Sequence, residues 1–149
     1  MNISFDLDST LIPHGNEFEA EKQGLLSKLL GIEPIRVGTA KFISDLQKQE
    51  HEIHIYTTSF RSQIKIRLML FYYGIKVGKI INQSQNQHTL KSRNINASKY
   101  PPAFGFDLHI DDLKGVGMEG ERLNFKTIII KTNDKNWIET IQKEITFEQ

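Results

Sequence analysis

The chain has 149 residues and a formal net charge of +1, with 38% hydrophobic and 25% charged residues. This length suffices for one domain with its own core and is too short for two ordinary domains, and the composition favours neither a disordered nor a membrane protein. The near-neutral charge provides no strong field for nucleic acid or anionic lipid, and the lack of cysteine excludes disulfide and thiolate chemistry.

Five short apolar segments are predicted to form strands. The clearest are "NISFDL" near the start, "HEIHIYT" at 51–57 and "FKTIIIK" at 125–131, which are rich in β-branched and aromatic residues. "GKIIN" at 78–82 and "FGFDLHI" at 104–110 are weaker candidates. Because these segments alternate with amphipathic ones, the pattern predicts a single α/β domain with a mostly parallel central sheet of about five strands.

Two amphipathic segments separate the first two strands. "EFEAEKQGLLSKLLG" is predicted to be a short helix that ends at Gly31, with apolar residues at helical spacing: Phe18, Leu25, Leu26, Leu29 and Leu30. "GTAKFISDLQKQEH" is predicted to be a crossover helix with Thr39 as its N-cap, and its apolar face comprises Phe42, Ile43 and Leu46. This second helix leads into the strand at 52–57.

Two further helices are predicted later in the chain. "SQIKIRLMLFYYG" ends at Gly74 and is expected to face the core with one stripe, formed by Ile64, Leu68, Phe71 and Tyr72. The last helix is expected from about Asn133 and to bury three residues at i, i+4 and i+8: Trp137, Ile141 and Ile145. The polar tract "NQSQNQH" at 82–88 and the following "KSRNINASKYPP" are predicted to be loops at the edge of the domain.

Two carboxylates, Asp6 and Asp8, lie where the first apolar segment ends in "FDLDSTLI". Residues i and i+2 of a strand point to the same face, so we expect these side chains to be neighbours. Two like charges at that distance repel each other, and a bound cation would relieve the repulsion. The carboxyl ends of the strands of an open parallel sheet form the crevice in which ligands bind, so the other strand ends matter too.

Polar side chains also follow two other predicted strands. Asp111 and Asp112 end the strand at 104–110, and the hydroxyl residues of "TTS" at 57–59 follow the strand at 52–57. Carboxylates, water and substrate phosphate are the usual ligands of Mg²⁺ in proteins. Lys99 precedes the stiff pair Pro101 and Pro102, and its ammonium group would neutralise phosphate charge.

In this order, "FDLDSTL", "IHIYTTS", "SKYPP" and "FDLHIDD" resemble the four signature motifs of the haloacid-dehalogenase-like (HAD) hydrolase superfamily. The resemblance covers nearly the whole chain, and Asp-x-Asp-x-Thr is its most specific part. It implies a Rossmann-like three-layer α/β/α domain over residues 1–149. It also implies a phosphatase-type member with Mg²⁺ as cofactor. No full cap domain is expected, since the first gap between motifs, 13–36, holds only a small helical insertion and the gap between the second and third motifs is taken up by helix, strand and polar loop.

The resemblance also implies a role for each acidic residue. Asp6 is expected to be the nucleophile that forms an aspartyl-phosphate, and Asp8 the general acid and then the general base. Mg²⁺ is expected to bind Asp6, the backbone carbonyl of Asp8, and Asp111. For Asp112 two alternatives stay open: it contacts the ion through a water molecule, or it supports the other ligands.

The remaining site residues bind phosphate or substrate under the same resemblance. Thr57 is expected to donate a hydrogen bond to a phosphate oxygen and is preferred to Thr58, while Lys99 is preferred to Lys91 as the lysine that offsets developing charge. Three residues are candidates for substrate binding, with Thr10 also expected to orient the loop after the nucleophile: Thr10, Thr58 and Arg61. For Arg61 the alternative is a solvated side chain at the start of a helix, and for Thr58 it is a helix-capping role.

The substrate stays open at the level of sequence. A minimally capped site resembles members that act on macromolecules, such as proteins or nucleic-acid ends, or that use a partner subunit as a lid. A small phosphomonoester is the alternative, with Leu25 to Leu30 as a partial lid or a dimer surface, so a homo-oligomer is a further expectation. A non-catalytic binding or scaffold module with this fold is the second class of function. No signal peptide or long apolar run is visible, so we expect a cytoplasmic protein without a membrane partner.

Overall fold

The structure, a computed structural model, describes residues 1–147. Five parallel strands form one sheet: β1 Asn2–Phe5, β2 Glu52–Tyr56, β3 Ile80–Ile81, β4 Leu108–Asp111 and β5 Lys126–Ile129. The helices described are α1 Leu25–Leu29, α2 Thr39–Lys48, α3 Gln63–Tyr72, α4 Gln83–Ser92, α5 Lys114–Leu123 and α6 Trp137–Phe147, with a 3₁₀ helix at Pro101–Phe104. This architecture confirms the predicted single α/β domain with a parallel sheet.

The strand order β3-β2-β1-β4-β5 reverses direction between β1 and β4. The chain winds from β1 outward to β3, and then returns to place β4 on the other side of β1. The backbone N–H of Asp6 donates to the carbonyl of Ile110 over 2.9 Å, so the two strands remain joined at their carboxyl ends. In sheets of this kind, ligands bind in the crevice outside this reversal point.

The core confirms the predicted faces of α2 and α6. Phe42, Ile43 and Leu46 of α2 are buried, as are Trp137, Ile141 and Ile145 of α6. The ring of Phe42 meets that of Trp137 edge to face, with 5.4 Å between centroids. Two boundaries differ from prediction, because Gly38 rather than Thr39 occupies the N-cap of α2 and α6 begins at Trp137. The N-cap backbone has φ of 86°, a left-handed conformation that glycine adopts without strain.

Helix α3 turns a different face to the core from the predicted one. The predicted core stripe is exposed, and it comprises Ile64, Leu68, Phe71 and Tyr72. Ile66, Met69 and Leu70 are buried instead. Because both sides of the helix are apolar, periodicity alone could not select the buried side. Tertiary contacts select it: Arg67 donates to the carbonyls of Val77 and Gly78 over 2.8 and 2.9 Å, which fixes one flank of α3 beside the approach to β3.

The polar tract at 82–88 is helical, so the prediction of a loop there is wrong. The Asn82 side chain accepts a hydrogen bond from the backbone N–H of Gln85, and the Gln85 side chain accepts one from the backbone N–H of Asn82. This reciprocal pair satisfies two backbone donors at the start of α4. Leu90 and the side chain of Asn86 are buried on its inner face. Cap chemistry and two inward residues therefore outweigh a composition that is typical of loops.

The predicted helix before Gly31 is reduced to the five residues of α1. Ser27 is its buried residue and donates to the carbonyl of Gly24 over 2.8 Å. The leucines expected on its buried face are exposed, and these are Leu25, Leu26, Leu29 and Leu30. The four leucines therefore do form an apolar surface on this insertion, but no other part of residues 1–147 packs against it closely enough to bury it.

Helix α5 was not predicted, because three glycines lower the helix propensity of "KGVGMEGERL". One of these glycines has a packing role. A Cβ atom on Gly120 would lie 2.8 Å from the carbonyl oxygen of Phe125, so only glycine permits α5 to approach β5 this closely. The strand before it also begins later than predicted, since β4 begins at Leu108 and the 3₁₀ helix ends at Phe104.

Candidate functional site

Three carboxylates meet at the reversal point of the sheet. Asp6 directly follows β1, Asp111 ends β4, and Asp112 is the next residue. One side-chain oxygen from each lies within 4.8 Å of the others, and Asp6 and Asp111 are buried. The structure thus brings together the side chains of three of the four residues that the resemblance assigned to the metal site, all except Asp8, from two strands separated by about a hundred residues of chain.

The ammonium group of Lys99 lies between two of these carboxylates. Its Nζ is 2.7 Å from Oδ1 of Asp6 and 2.6 Å from Oδ2 of Asp111, and the side chain is 1% exposed. Lys91, the alternative considered from the sequence, is exposed in the last turn of α4. The structure therefore places Lys99, and not Lys91, at the acidic cluster.

His109 belongs to the site, although sequence analysis gave it no role. The fully buried ring places Nε2 3.0 Å from Oδ2 of Asp111 and Nδ1 2.9 Å from the hydroxyl of Ser4. Burial lowers the pKa of His109, and the charge of Lys99 acts in the same direction, while the hydrogen bond to Asp111 opposes them. Because a carboxylate only accepts, Nε2 donates to Asp111. Nδ1 also lies 3.2 Å from the backbone carbonyl of Ser4, and the hydroxyl of Ser4 donates to the carbonyl of Leu108 over 3.3 Å. The available signal was the i, i+2 spacing of His109 and Asp111 on one strand, which puts both on one face.

Burial is the largest single influence on the pKa of each shifted group at the acidic cluster. Burial raises the pKa of Asp6, and the attraction of Lys99 only partly opposes it. Burial acts in the same direction on Asp111, but hydrogen bonds from His109 and Lys99 outweigh it and hold the pKa of Asp111 well below its usual range. Burial and the charge of Asp111 raise the pKa of Asp112. Burial disfavours the charged form of Lys99, yet its two carboxylate partners raise its pKa.

A separate set of contacts holds the segment that carries Lys99. Glu119 of α5 accepts from the backbone N–H groups of Ser98 and Lys99 over 2.7 and 3.2 Å. Asn86 donates to the carbonyl of Ser98 over 2.8 Å, and the hydroxyl of Tyr56 accepts from the backbone N–H of Tyr100 over 2.8 Å. The backbone around Lys99 is therefore held by these hydrogen bonds as well as by the two prolines that follow it.

Asp8 does not join the carboxylate cluster. β1 ends at Phe5, so Asp8 lies in the following turn and its side chain is half exposed. Its oxygens contact the guanidinium of Arg61 over 2.9 Å. Arg61 also forms a two-point ion pair with Glu33, with both distances 2.7 Å, and these hydrogen bonds raise the pKa of Arg61. The side chain of Asp8 is therefore paired with Arg61 and is not part of the cluster with Asp6 that strand geometry predicted.

The hydroxyl residues occupy different environments. Thr57 is buried at the carboxyl end of β2, where its Oγ1 accepts from the backbone N–H of Ser59 over 3.1 Å. Thr58 is exposed. Thr10 is buried and donates to Oδ1 of Asp112 over 3.2 Å, so it holds that carboxylate in place. Thr10 thus connects the loop after Asp6 to the end of β4.

Arg36 was also missed by sequence analysis. It is 2% exposed, and its guanidinium donates to the carbonyls of Thr132 and Asp134 over 3.1 and 2.7 Å and approaches that of Thr10 at 3.5 Å. It borders a cavity of about 520 Å³ together with Trp137. Arg36 therefore ties the loop after Asp6 to the segment that follows β5, and no local sequence pattern signals such a contact.

The donor set fits a divalent cation. Three carboxylates share a single buried ammonium group, which leaves a charge near −2 when all three are ionised. Buried like charges are costly, and Mg²⁺ binds hard oxygen ligands of this kind. Asp6, Asp111 and Asp112 are the side chains that would hold it.

No protein-family model matches the chain, and no curated protein matches it either. A solved structure, that of a predicted HAD-like family hydrolase from Porphyromonas gingivalis, is similar over 97% of this chain and 97% of that chain. The TM-score is 0.54 and the sequence identity 17%. At this identity the similarity establishes the fold, which is the HAD-like fold that the four motifs implied. No helix among residues 1–147 combines the length and the apolarity needed to cross a bilayer.

Proposed function

We propose that the protein is a Mg²⁺-dependent phosphomonoester hydrolase that forms an aspartyl-phosphate on Asp6. The observation that supports it most directly is the cluster of Asp6, Asp111 and Asp112 oxygens within 4.8 Å at the reversal point of a HAD-like sheet. Lys99, shared between Asp6 and Asp111, adds the positive charge that a phosphoryl group requires.

The proposed reaction has two steps. Asp8 first leaves Arg61 and takes a proton from solvent. An oxygen of Asp6 then forms a bond to phosphorus while the bond to the leaving oxygen breaks, and Asp8 gives its proton to that oxygen. Asp8, now a carboxylate, takes a proton from a water molecule whose oxygen then bonds to phosphorus. The bond between Asp6 and phosphorus breaks, which releases phosphate and restores the free carboxylate.

The other residues bind and orient. Lys99 stays an ammonium group beside Asp6, and Thr57 at the end of β2 donates to a phosphate oxygen. Mg²⁺, when bound, supplies the charge that lets the anionic Asp6 approach a phosphate dianion. Asp8 has to leave Arg61 to act on the leaving group, and we infer that Arg61 then turns toward the phosphoryl oxygens while Glu33 keeps it near the site.

A broad panel of phosphoesters tests the proposal. Phosphate release should require Mg²⁺ and fall by at least ~1,000-fold in Asp6→Asn, as expected for loss of a nucleophile. Asp45→Asn is the matched control, because Asp45 forms salt bridges on the outer surface of α2 with Lys41 and Lys48. Turnover that survives both chelation and Asp6→Asn would refute the mechanism. A protein that binds Mg²⁺ but hydrolyses nothing in the panel would favour a non-catalytic binding module.

The panel should span small and large substrates. Within residues 1–147, segment 13–36 contributes only the five residues of α1 as regular helix, so the described part of the chain has no full cap over the site. Phosphosugars, nucleotides, phosphopeptides and phosphorylated nucleic-acid ends are therefore the classes to compare. Preference for the last two would assign the open site to macromolecules.

A further inference from the structure

Helix α3 presents a fully apolar stripe away from the core. Ile64, Leu68 and Phe71 recur at helical spacing on the side opposite Ile66 and Leu70, which are buried. A helix of a monomeric globular protein normally has a polar outer face, and one that is apolar all round is normally buried on both sides. The outer stripe of α3 therefore has the composition of a buried surface.

Helix α1 shows the same property in a stronger form. Four leucines within six residues are exposed, and these are Leu25, Leu26, Leu29 and Leu30. A helix of five residues is too short to be stable by its own hydrogen bonds, so it depends on burial of side chains. Within this chain, Ser27 is its buried residue. Burial of the four leucine side chains would therefore require contact with a second molecule.

The two apolar sets lie on neighbouring segments. Glu33, three residues after Leu30, binds through its carboxylate to Arg61, which lies two residues before α3. The backbone carbonyl of Glu33 accepts from the hydroxyl of Tyr73 immediately after α3, over 2.9 Å. The segment that follows α1 is thus fixed to both ends of α3. Phe60, next to Arg61, is a further exposed aromatic residue in the segment that leads into α3.

We propose that these residues form a face through which two copies of this chain associate as a symmetric dimer. The face, called the α1–α3 face below, has eight members with exposed fractions between 59% and 89%: Leu25, Leu26, Leu29, Leu30, Phe60, Ile64, Leu68 and Phe71. Side chains of this size expose on the order of 100 Å² each at such fractions, so the set approaches the ~800 Å² per partner of a stable interface. Isolated apolar patches on monomers are usually smaller.

A second copy is the occupant that the composition fits. Homodimer interfaces are more apolar than those of transient complexes, and all eight members of this face are aliphatic or aromatic. The chain has a net charge of +1, so two copies repel each other only weakly. In a symmetric dimer the same patch serves both partners, which needs no complementary surface elsewhere on the chain.

Sedimentation equilibrium of the full chain at about 100 μM tests this inference, with masses compared against the 17.2 kDa monomer. The wild type should form a dimer. Leu68→Glu and Leu29→Glu should each raise the dimer dissociation constant by about 30-fold or more, the effect expected of a central interface residue. Met118→Glu is the matched control, because Met118 is 70% exposed on α5, away from this face, and should leave the mass unchanged.

Circular dichroism and thermal unfolding of each variant separate loss of association from loss of folding. If Leu68→Glu fails to fold, Leu29→Glu decides alone, since Leu29 contributes nothing to the described core. A wild type that is monomeric at this concentration would overturn the proposal. Co-sedimentation of that monomer with vesicles of phosphatidylcholine and phosphatidylserine would assign the face to a lipid surface instead. Dimers that persist in both folded variants would also overturn it.

Discussion

Replacing Lys99 with Met removes the one ammonium group that the described structure places between Asp6 and Asp111. Both contacts are short, 2.7 and 2.6 Å, and Lys99 is 1% exposed, so water cannot take its place without reorganisation of the site. Removal of one partner from a buried ion pair typically costs about 3–5 kcal/mol, because the charges left behind are buried without compensation. For a domain of this length that loss corresponds to a fall in melting temperature of roughly 6–20 °C.

Urea titration of the free energy of unfolding at pH 7 is the direct assay. Lys91→Met is the matched control, because Lys91 is exposed on α4 and its loss should change the free energy by less than about 0.5 kcal/mol. Mg²⁺ at about 100 times its dissociation constant should restore ~2.7 kcal/mol to the Lys99 variant, since an ion that binds the folded state stabilises it. Equal stability of the two variants would refute the assignment of Lys99 to this cluster.

The pH dependence of this loss has a defined sign. The pKa of folded Asp111 is depressed, so Asp111 contributes stability above the ordinary aspartate value of ~3.9, and this contribution is lost as the pH falls toward the lowered pKa. Lys99→Met removes one cause of the depression. The difference between wild type and variant should therefore be largest at neutral pH and shrink below about pH 4, where carboxylates become protonated. A difference that grows on acidification would contradict this account.

Four further substitutions test three separate parts of the structure. Ile66→Ala should cost about 2–5 kcal/mol in urea titrations because Ile66 faces the core, whereas Ile64→Ala should change monomer stability by less than about 0.5 kcal/mol; equal losses would mean that α3 is rotated. Asn82→Ala should cost about 1 kcal/mol through loss of the capping pair, and no loss would argue against α4. His109→Phe keeps a ring but removes the donor to Asp111, so calorimetry should show Mg²⁺ affinity reduced about 10–100-fold; unchanged affinity would exclude a positioning role.

The sequence by itself determined the features that depend on local order along the chain. The alternation of apolar and amphipathic segments specified a parallel sheet, and the motif order placed Asp6 and Asp111 at strand ends that such a sheet brings together. The buried faces of α2 and α6 followed from their periodicity, because one side of each helix is polar and leaves a single choice. Lys99 was favoured over Lys91 by its place beside the two prolines, and the structure puts it at the site.

Only the tertiary structure decided the features that depend on contacts between distant segments. Asp8 does not lie in the carboxylate cluster with Asp6. Its side chain binds Arg61, 53 residues away in the sequence, and Arg61 is bound in turn by Glu33. His109 gained a role only when its strand lay beside β1, which brings Ser4 to the other side of its ring. Helix α3 is apolar on both sides, so the energy of burial could not distinguish the two faces until the contacts that flank it fixed one of them against the sheet. Local pattern states which residues prefer burial, whereas the assembled fold determines which of them obtain it.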